Sequence, residues 1–149
     1  MPQTTGALSW IDAVIEISFE GTTFYDMSGN NNSLKVDGGE RAIAEFFTSL
    51  GDTPILTKGK RSKLEVTLAG VYTEITNELF DRVTGVYEAG TPFYIRWAAK
   101  THGTGVFVFT TSAGVVTKPV YPQGAADSAD AIQIEVTISV ASITKSVHA

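Results

Sequence analysis

Between residues 132 and 140 every second position is a branched aliphatic: Ile132, Ile134, Val136, Ile138 and Val140 fall on one side, and Gln133, Glu135, Thr137 and Ser139 on the other. A repeat of two matches the alternation of side chains across a β-strand, so this segment is a strand with one face in a core and one in water. The signature recurs. Residues 13–20 set Ile15, Ile17 and Phe19 against Glu16, Ser18 and Glu20, and residues 64–72 set Leu64, Val66, Leu68 and Tyr72 against Glu65, Thr67 and Ala69. Gly70 interrupts the second run and marks a bulge or a close approach of another segment. Phe93, Ile95 and Trp97 alternate with Tyr94 and Arg96. Several half-wet strands separated by turns build antiparallel sheets that pack on one another.

The intervening segments fill in the architecture. Residues 106–111 are apolar on both faces, and Ser112-Ala113-Gly114 reverses the chain into 115–120, where Pro119 and Pro122 put the strand end at a sheet edge. Leu34, Lys35 and Val36 form a short strand between a turn-rich loop at 21–33 and the reversal at Asp37-Gly38-Gly39. One helix is expected over residues 77–89, with an apolar stripe of Leu79, Phe80, Val83, Val86 and Tyr87, Thr76 as cap, Glu78 and Asp81 in the first turn and Gly90 after the end. Residues 40–50 fit two patterns, because Ile43, Phe46, Phe47 and Leu50 have helical spacing while Ala42, Ala44 and Phe46 line one strand face. Residues 48–63 form a long polar loop containing Gly51, Pro54 and Gly59, residues 121–131 an exposed connector, and residues 143–149 carry no further pattern. The fold expected is mainly β: an antiparallel β-sandwich or barrel in one domain spanning 1–149, with one flanking α-helix near 77–89 and the long loop near 48–63.

Composition excludes several functions. A chain of 149 residues buries a core of its own without staples. There is no cysteine, which removes disulfides, zinc–thiolate sites and thiol nucleophiles together. A net charge of −5 opposes non-specific binding to nucleic acid, which needs clustered Lys and Arg. No apolar run approaches the roughly 20 residues of a membrane helix, and residues 1–10 have no basic, then apolar, export pattern.

Candidate chemistry fails residue by residue. Gly59-Lys60-Arg61 resembles part of a phosphate-binding loop, but the glycine five residues before Gly59 is Pro54 and the Ser or Thr after the lysine is Arg61. Asp26, Ser28 and Asn30 have the spacing of calcium ligands, yet the required glycine is Asn31 and the closing glutamate is Asp37. The two histidines, His102 in a hairpin loop and His148 near the carboxyl end, sit where neither a ligand nor a general base is packed. Glu16, Glu65 and Glu135 lie on wet strand faces, where a carboxylate pair for glycoside chemistry is far rarer than simple solvation. Trp97 shares its face with Phe93 and Ile95, so it reads as core rather than as a sugar platform with Trp10.

What stands out instead is charge: Lys58, Lys60, Arg61 and Lys63 place four of the eleven basic residues within six positions of an acidic chain. A loop so charged and so long meets a partner rather than a substrate.

At Gly38-Gly39-Glu40-Arg41, Gly51-Asp52-Thr53-Pro54-Ile55, Gly59-Lys60-Arg61 and Tyr72-Thr73-Glu74, and then through residues 87–97 and Tyr121-Pro122-Gln123-Gly124, the sequence resembles the tail tube proteins of long-tailed bacteriophages. The resemblance covers most of residues 34–145 and rests on the order and spacing of short motifs. It implies a structural virion protein, not an enzyme, with no cofactor and no metal, assembled in the host cytoplasm. Its subunits would join into hexameric rings stacked as a hollow tube, with tape-measure, tail-tip and terminator proteins as further partners and no membrane. DNA would pass through the lumen without specific binding. It implies that residues 43–47 form a strand and that the Gly38–Lys63 region reaches a neighbouring subunit or ring, with Asp52, Pro54, Lys58, Lys60, Arg61 and Lys63 as contact candidates. Glu16, Glu65 and Glu135 are candidates for the lumen wall, and residues 1–12 and 143–149 are expected to order on assembly. The alternatives are the tube of a type VI secretion or tailocin-like system and, from another class, a monomeric carbohydrate-binding β-sandwich.

Overall fold

In the computed structural model, which describes residues 2–101 and 103–149, the alternating segments become the strands of two packed antiparallel sheets. The five-stranded sheet has the order β11 (Ile143–Val147), β8 (Phe107–Thr111), β7 (Tyr94–Ala98), β1 (Val14–Ser18), β2 (Tyr25–Asp26). The four-stranded sheet has the order β3 (Asn31–Gly38), β6 (Leu64–Val71), β10 (Gln133–Val140), β9 (Val115–Val116). A two-stranded ribbon, β4 (Arg41–Phe46) with β5 (Ile55–Arg61), stands apart from both. The sheets form a sandwich and not a closed barrel.

The core lies where the period-2 pattern puts it. Ile15 and Ile17 from β1, Ile95 and Trp97 from β7 and Phe93 just before it face Val66 and Leu68 from β6 and Ile134, Val136, Ile138 and Val140 from β10. Trp97 stacks on Phe109 at 5.9 Å between centroids and Phe93 meets Phe19 edge-on at 5.6 Å, so the aromatic residues are structural. The helical segment closes the cluster with Leu79, Val83 and Val86. Gly70 is where Leu79 and the Asn30 carbonyl come closest to β6, the approach that a glycine inside a strand signals.

Several expectations need correction. The helix at 77–89 lies where its apolar stripe predicts but is broken into α1 (Leu79–Val83) and α2 (Val86–Ala89), because Thr84 turns extended and Gly85 takes a left-handed φ of 80°. Thr76 is not the cap: Asn77 is left-handed at φ 69°, its N–H donates to Asp81 Oδ2 at 2.9 Å, and the helix opens at Glu78. Residues 34–36 belong to an eight-residue strand, β3, and only Val115–Val116 of the segment 115–120 are strand. The loop expected over 48–63 is a strand from Ile55 to Arg61, because β4 supplies a partner that composition alone does not reveal. Residues 143–147, expected to lack pattern, form the edge strand β11 against β8, held by backbone pairing that leaves little side-chain signature. Residues 43–46 are strand, as the resemblance implied, while His102 lies outside the described residues.

Candidate assembly surface

The arm formed by β4 and β5 grows directly out of the β3–β6 hairpin. Gly38 and Gly39 adopt φ of 83° and 77° at its root, a backbone that side chains resist, and a Cβ on Gly38 would overlap the Lys63 carbonyl oxygen. Two bonds cross the root: Gly39 N–H donates to Lys63 O and Ser62 N–H to Glu40 O, both at 2.9 Å. Those two bonds tie the ribbon to the body across the bend, beyond which its ladder shifts register between Arg41 and Ile43.

Register assigns the arm two faces. Ala44 opposes Thr57 and Phe46 opposes Ile55 on one, while Ile43 opposes Lys58 and Glu45 opposes Leu56 on the other. Ala42 lies against Gly59, extending the first face toward the root. Neither face is covered, since every residue of β4 and β5 is exposed. Six large apolar side chains, Ile43, Phe46, Phe47, Leu50, Ile55 and Leu56, keep between 52% (Ile55) and 98% (Leu50) of their surface in water. Covering them would release on the order of 5–10 kcal/mol before the costs of association. They are divided between the two faces and the tip, and exposed apolar side chains gathered on one appendage mark a contact.

Charge divides the molecule in the same way. Residues 40–63 hold five of the eleven basic residues and three of the sixteen acidic ones, so the arm and its root are net +2 and the remainder net −7. Lys58, Lys60 and Arg61 lie along β5 and make no ion pair among the described residues. Lys63 differs from them: its Nζ binds Glu65 at 3.2 Å and Ser139 Oγ at 3.4 Å, and it belongs to the body. Asp52 is exposed at the tip, with Pro54 half-buried beside it.

The three glutamates grouped by sequence are separated by the fold. Glu65 and Glu135 lie on the outer face of the four-stranded sheet, in a polar field with Thr67, Thr137 and Ser139. There Asp37 stands directly opposite Glu65, a like-charge pair offset by Lys35–Asp37 at 3.3 Å and Lys63–Glu65 at 3.2 Å. Glu16 is on the outer face of the other sheet, because β1 turns its apolar side the opposite way. It accepts a two-pronged bond from Arg96, Nε at 3.2 Å and Nη2 at 2.7 Å, with the guanidinium 3.9 Å from the Phe24 ring centre.

The apolar face of the arm was the part of the site that sequence analysis passed over, although the Ala42, Ala44, Phe46 alternation was its signal. Among the described residues no group of His, Asp or Glu is placed to hold a metal ion, and no helix is long and apolar enough to cross a membrane.

A two-sheet sandwich with helical turns closing one side is a fold found in the tubes of phage tails and related injection machines. No family model and no curated protein matches the chain in sequence. Solved structures do match in fold. A chain of the sheath–tube complex of the PVC extracellular contractile injection system, in its extended state, aligns with a TM-score of 0.68 at 15% identity, over 96% of this chain and 93% of that one. The SPP1 tail tube aligns with a TM-score of 0.69 at 12% identity, over 95% and 80%. The tail of an empty gene transfer agent particle, refined helically with C6 symmetry, aligns with a TM-score of 0.67 at 15% identity, over 96% and 100%.

Proposed function

We propose that this chain is a non-enzymatic structural protein that polymerises into stacked rings, building the hollow tail tube through which a phage genome leaves the particle. The observation that carries the reading is the arm: 41–61 exposes six large apolar side chains, buries none of them on its own body, and is charged opposite to that body. Edge strands add to it, since β3 and β11 each end a sheet with one row of backbone donors and acceptors unpaired by a neighbouring strand. A contact between unlike surfaces, repeated, closes into a ring or runs on as a helix. The C6 symmetry of the gene transfer agent tail makes six the ring size to test first. Tape-measure, terminator and tip proteins are the further partners this role requires, and a virion tail assembled in the host cytoplasm is its place.

Negative-stain microscopy of the purified protein at high concentration tests it. Rings or tubes are expected, and Phe46→Asp with Ile55→Asp should leave a monomer whose far-ultraviolet dichroism is unchanged. A wild-type protein that stays monomeric would overturn the reading.

For the lumen wall we favour the outer face of the four-stranded sheet at Glu65, over Glu16, which Arg96 holds in place, and over Glu135, which lines a groove beside the 122–131 connector. A polar, partly acidic wall keeps the DNA backbone from adhering. Tubes carrying Glu65→Lys should co-sediment short duplex DNA at low salt where wild-type tubes do not; equal retention would move the lumen elsewhere. The similarity to a contractile injection system keeps a second reading in view, a tube that carries effectors inside a sheath. A sheath gene beside this one would favour it.

A further inference from the structure

A groove of about 800 Å³ lies at the end of the four-stranded sheet opposite the arm, between the 122–131 connector and the start of β10. Its position follows from register. Gln133, the first residue of β10, pairs with Val71 at the end of β6, while Val140 pairs with Leu64, where the arm is rooted. Gln123 bridges to Gln133, and Ile132 O accepts from Tyr72 N–H at 2.8 Å, which fixes the connector at that far end. The eight residues of β6 therefore separate root from groove by about 25 Å along the strand direction.

The groove and the arm are chemically matched. Residues 119–144 contain Asp127, Asp130 and Glu135 and not one Lys, Arg or His. Asp130 and Glu135 line the groove, Asp127 sits on the connector beside it, and none of the three makes an ion pair among the described residues. Ala125, Ala126 and Ala131 leave room for another backbone to approach, and Ile132 is the one large apolar side chain, 48% exposed. No aromatic residue walls the groove, which is open and suits a chain better than an enclosed small molecule. The arm offers the complement: Lys58, Lys60 and Arg61 without ion pairs, and Phe46 and Ile55 on an uncovered face.

We infer that the groove is the receptor for the arm of a second copy of this chain, with β5 cations against Asp127, Asp130 and Glu135 and Phe46 and Ile55 against Ile132. This rests on the polymerising role proposed above and specifies which surfaces meet. Because arm and receptor sit at opposite ends of one sheet, the contact is head to tail, with one arm and one receptor per subunit, and it repeats from copy to copy.

The absence of cysteine makes the test clean. The double variant Ile55→Cys with Ile132→Cys, oxidised under assembly conditions, is expected to give a ladder of disulfide-linked oligomers, while either single variant gives dimers at most. Wild-type tubes that form normally while the double variant stays unlinked overturn the groove alone, and a wild-type protein that never polymerises overturns the proposed function and the groove together. As an independent check, Asp127→Lys with Asp130→Lys should raise the critical concentration for tubes at least tenfold, and Lys58→Glu with Lys60→Glu in the same chain should restore most of it. Charge reversal without effect, or without rescue, counts against the pairing.

Discussion

Arg96 carries two partners that sequence alone does not connect: the Glu16 carboxylate across the β1–β7 ladder and the Phe24 ring from the loop that folds back over it. The pair is partly buried, with 13% of the Glu16 side chain and 31% of the Arg96 side chain accessible, so it lies between the weak surface pair and the costly buried one. Glu16→Gln should lower unfolding stability by about 1–3 kcal/mol, read as a shift of the urea midpoint at constant slope. Arg96→Lys should recover little, since an ammonium cannot reproduce the two-pronged geometry. An unchanged midpoint would show that the pair contributes nothing. The sequence marked Glu16 as polar and outward, correctly, but alternation says only which side of its own strand a residue occupies. Which sheet the strand joins decides what lies on that side, and this separates Glu16 from Glu65 and Glu135.

At the scale of elements, the arm is an appendage to a body that does not need it. Excising residues 41–61 and closing β3 onto β6 with a short turn should shift the thermal midpoint by no more than about 4 °C, the equivalent of roughly 1 kcal/mol, because β4 and β5 bury none of their side chains. The same variant should form no tubes. A collapse of the melt would make the arm part of the core. Legibility followed burial: β1, β6, β7 and β10 have one face packed and one wet, so their period survives in the sequence, and the fold class with it. The strands β4, β5 and β11 pack little of themselves within one chain, so no burial period is written into their residues. That is why 40–50 reads equally well as a helix and why 48–63 reads as a loop.

For the whole molecule the decisive property is an asymmetric distribution of charge, with a +2 arm and root on a −7 remainder. If copies associate through it, the critical concentration for assembly should rise between about 0.1 M and 1 M salt, as the screening length falls from about 10 Å to 3 Å. Sedimentation at graded salt would check this, and a flat response would leave the apolar face of the arm as the sole driving surface. The arm leaves the body at one end of the four-stranded sheet, where Gly38 pairs with Leu64, and so it gives the subunit a front and a back. A filament joined as proposed above would be an arrow: one terminus would display naked ribbons and the other vacant clefts. Growth of such a filament could then be started and stopped by two unrelated molecules, and its direction would be set before anything was loaded into it.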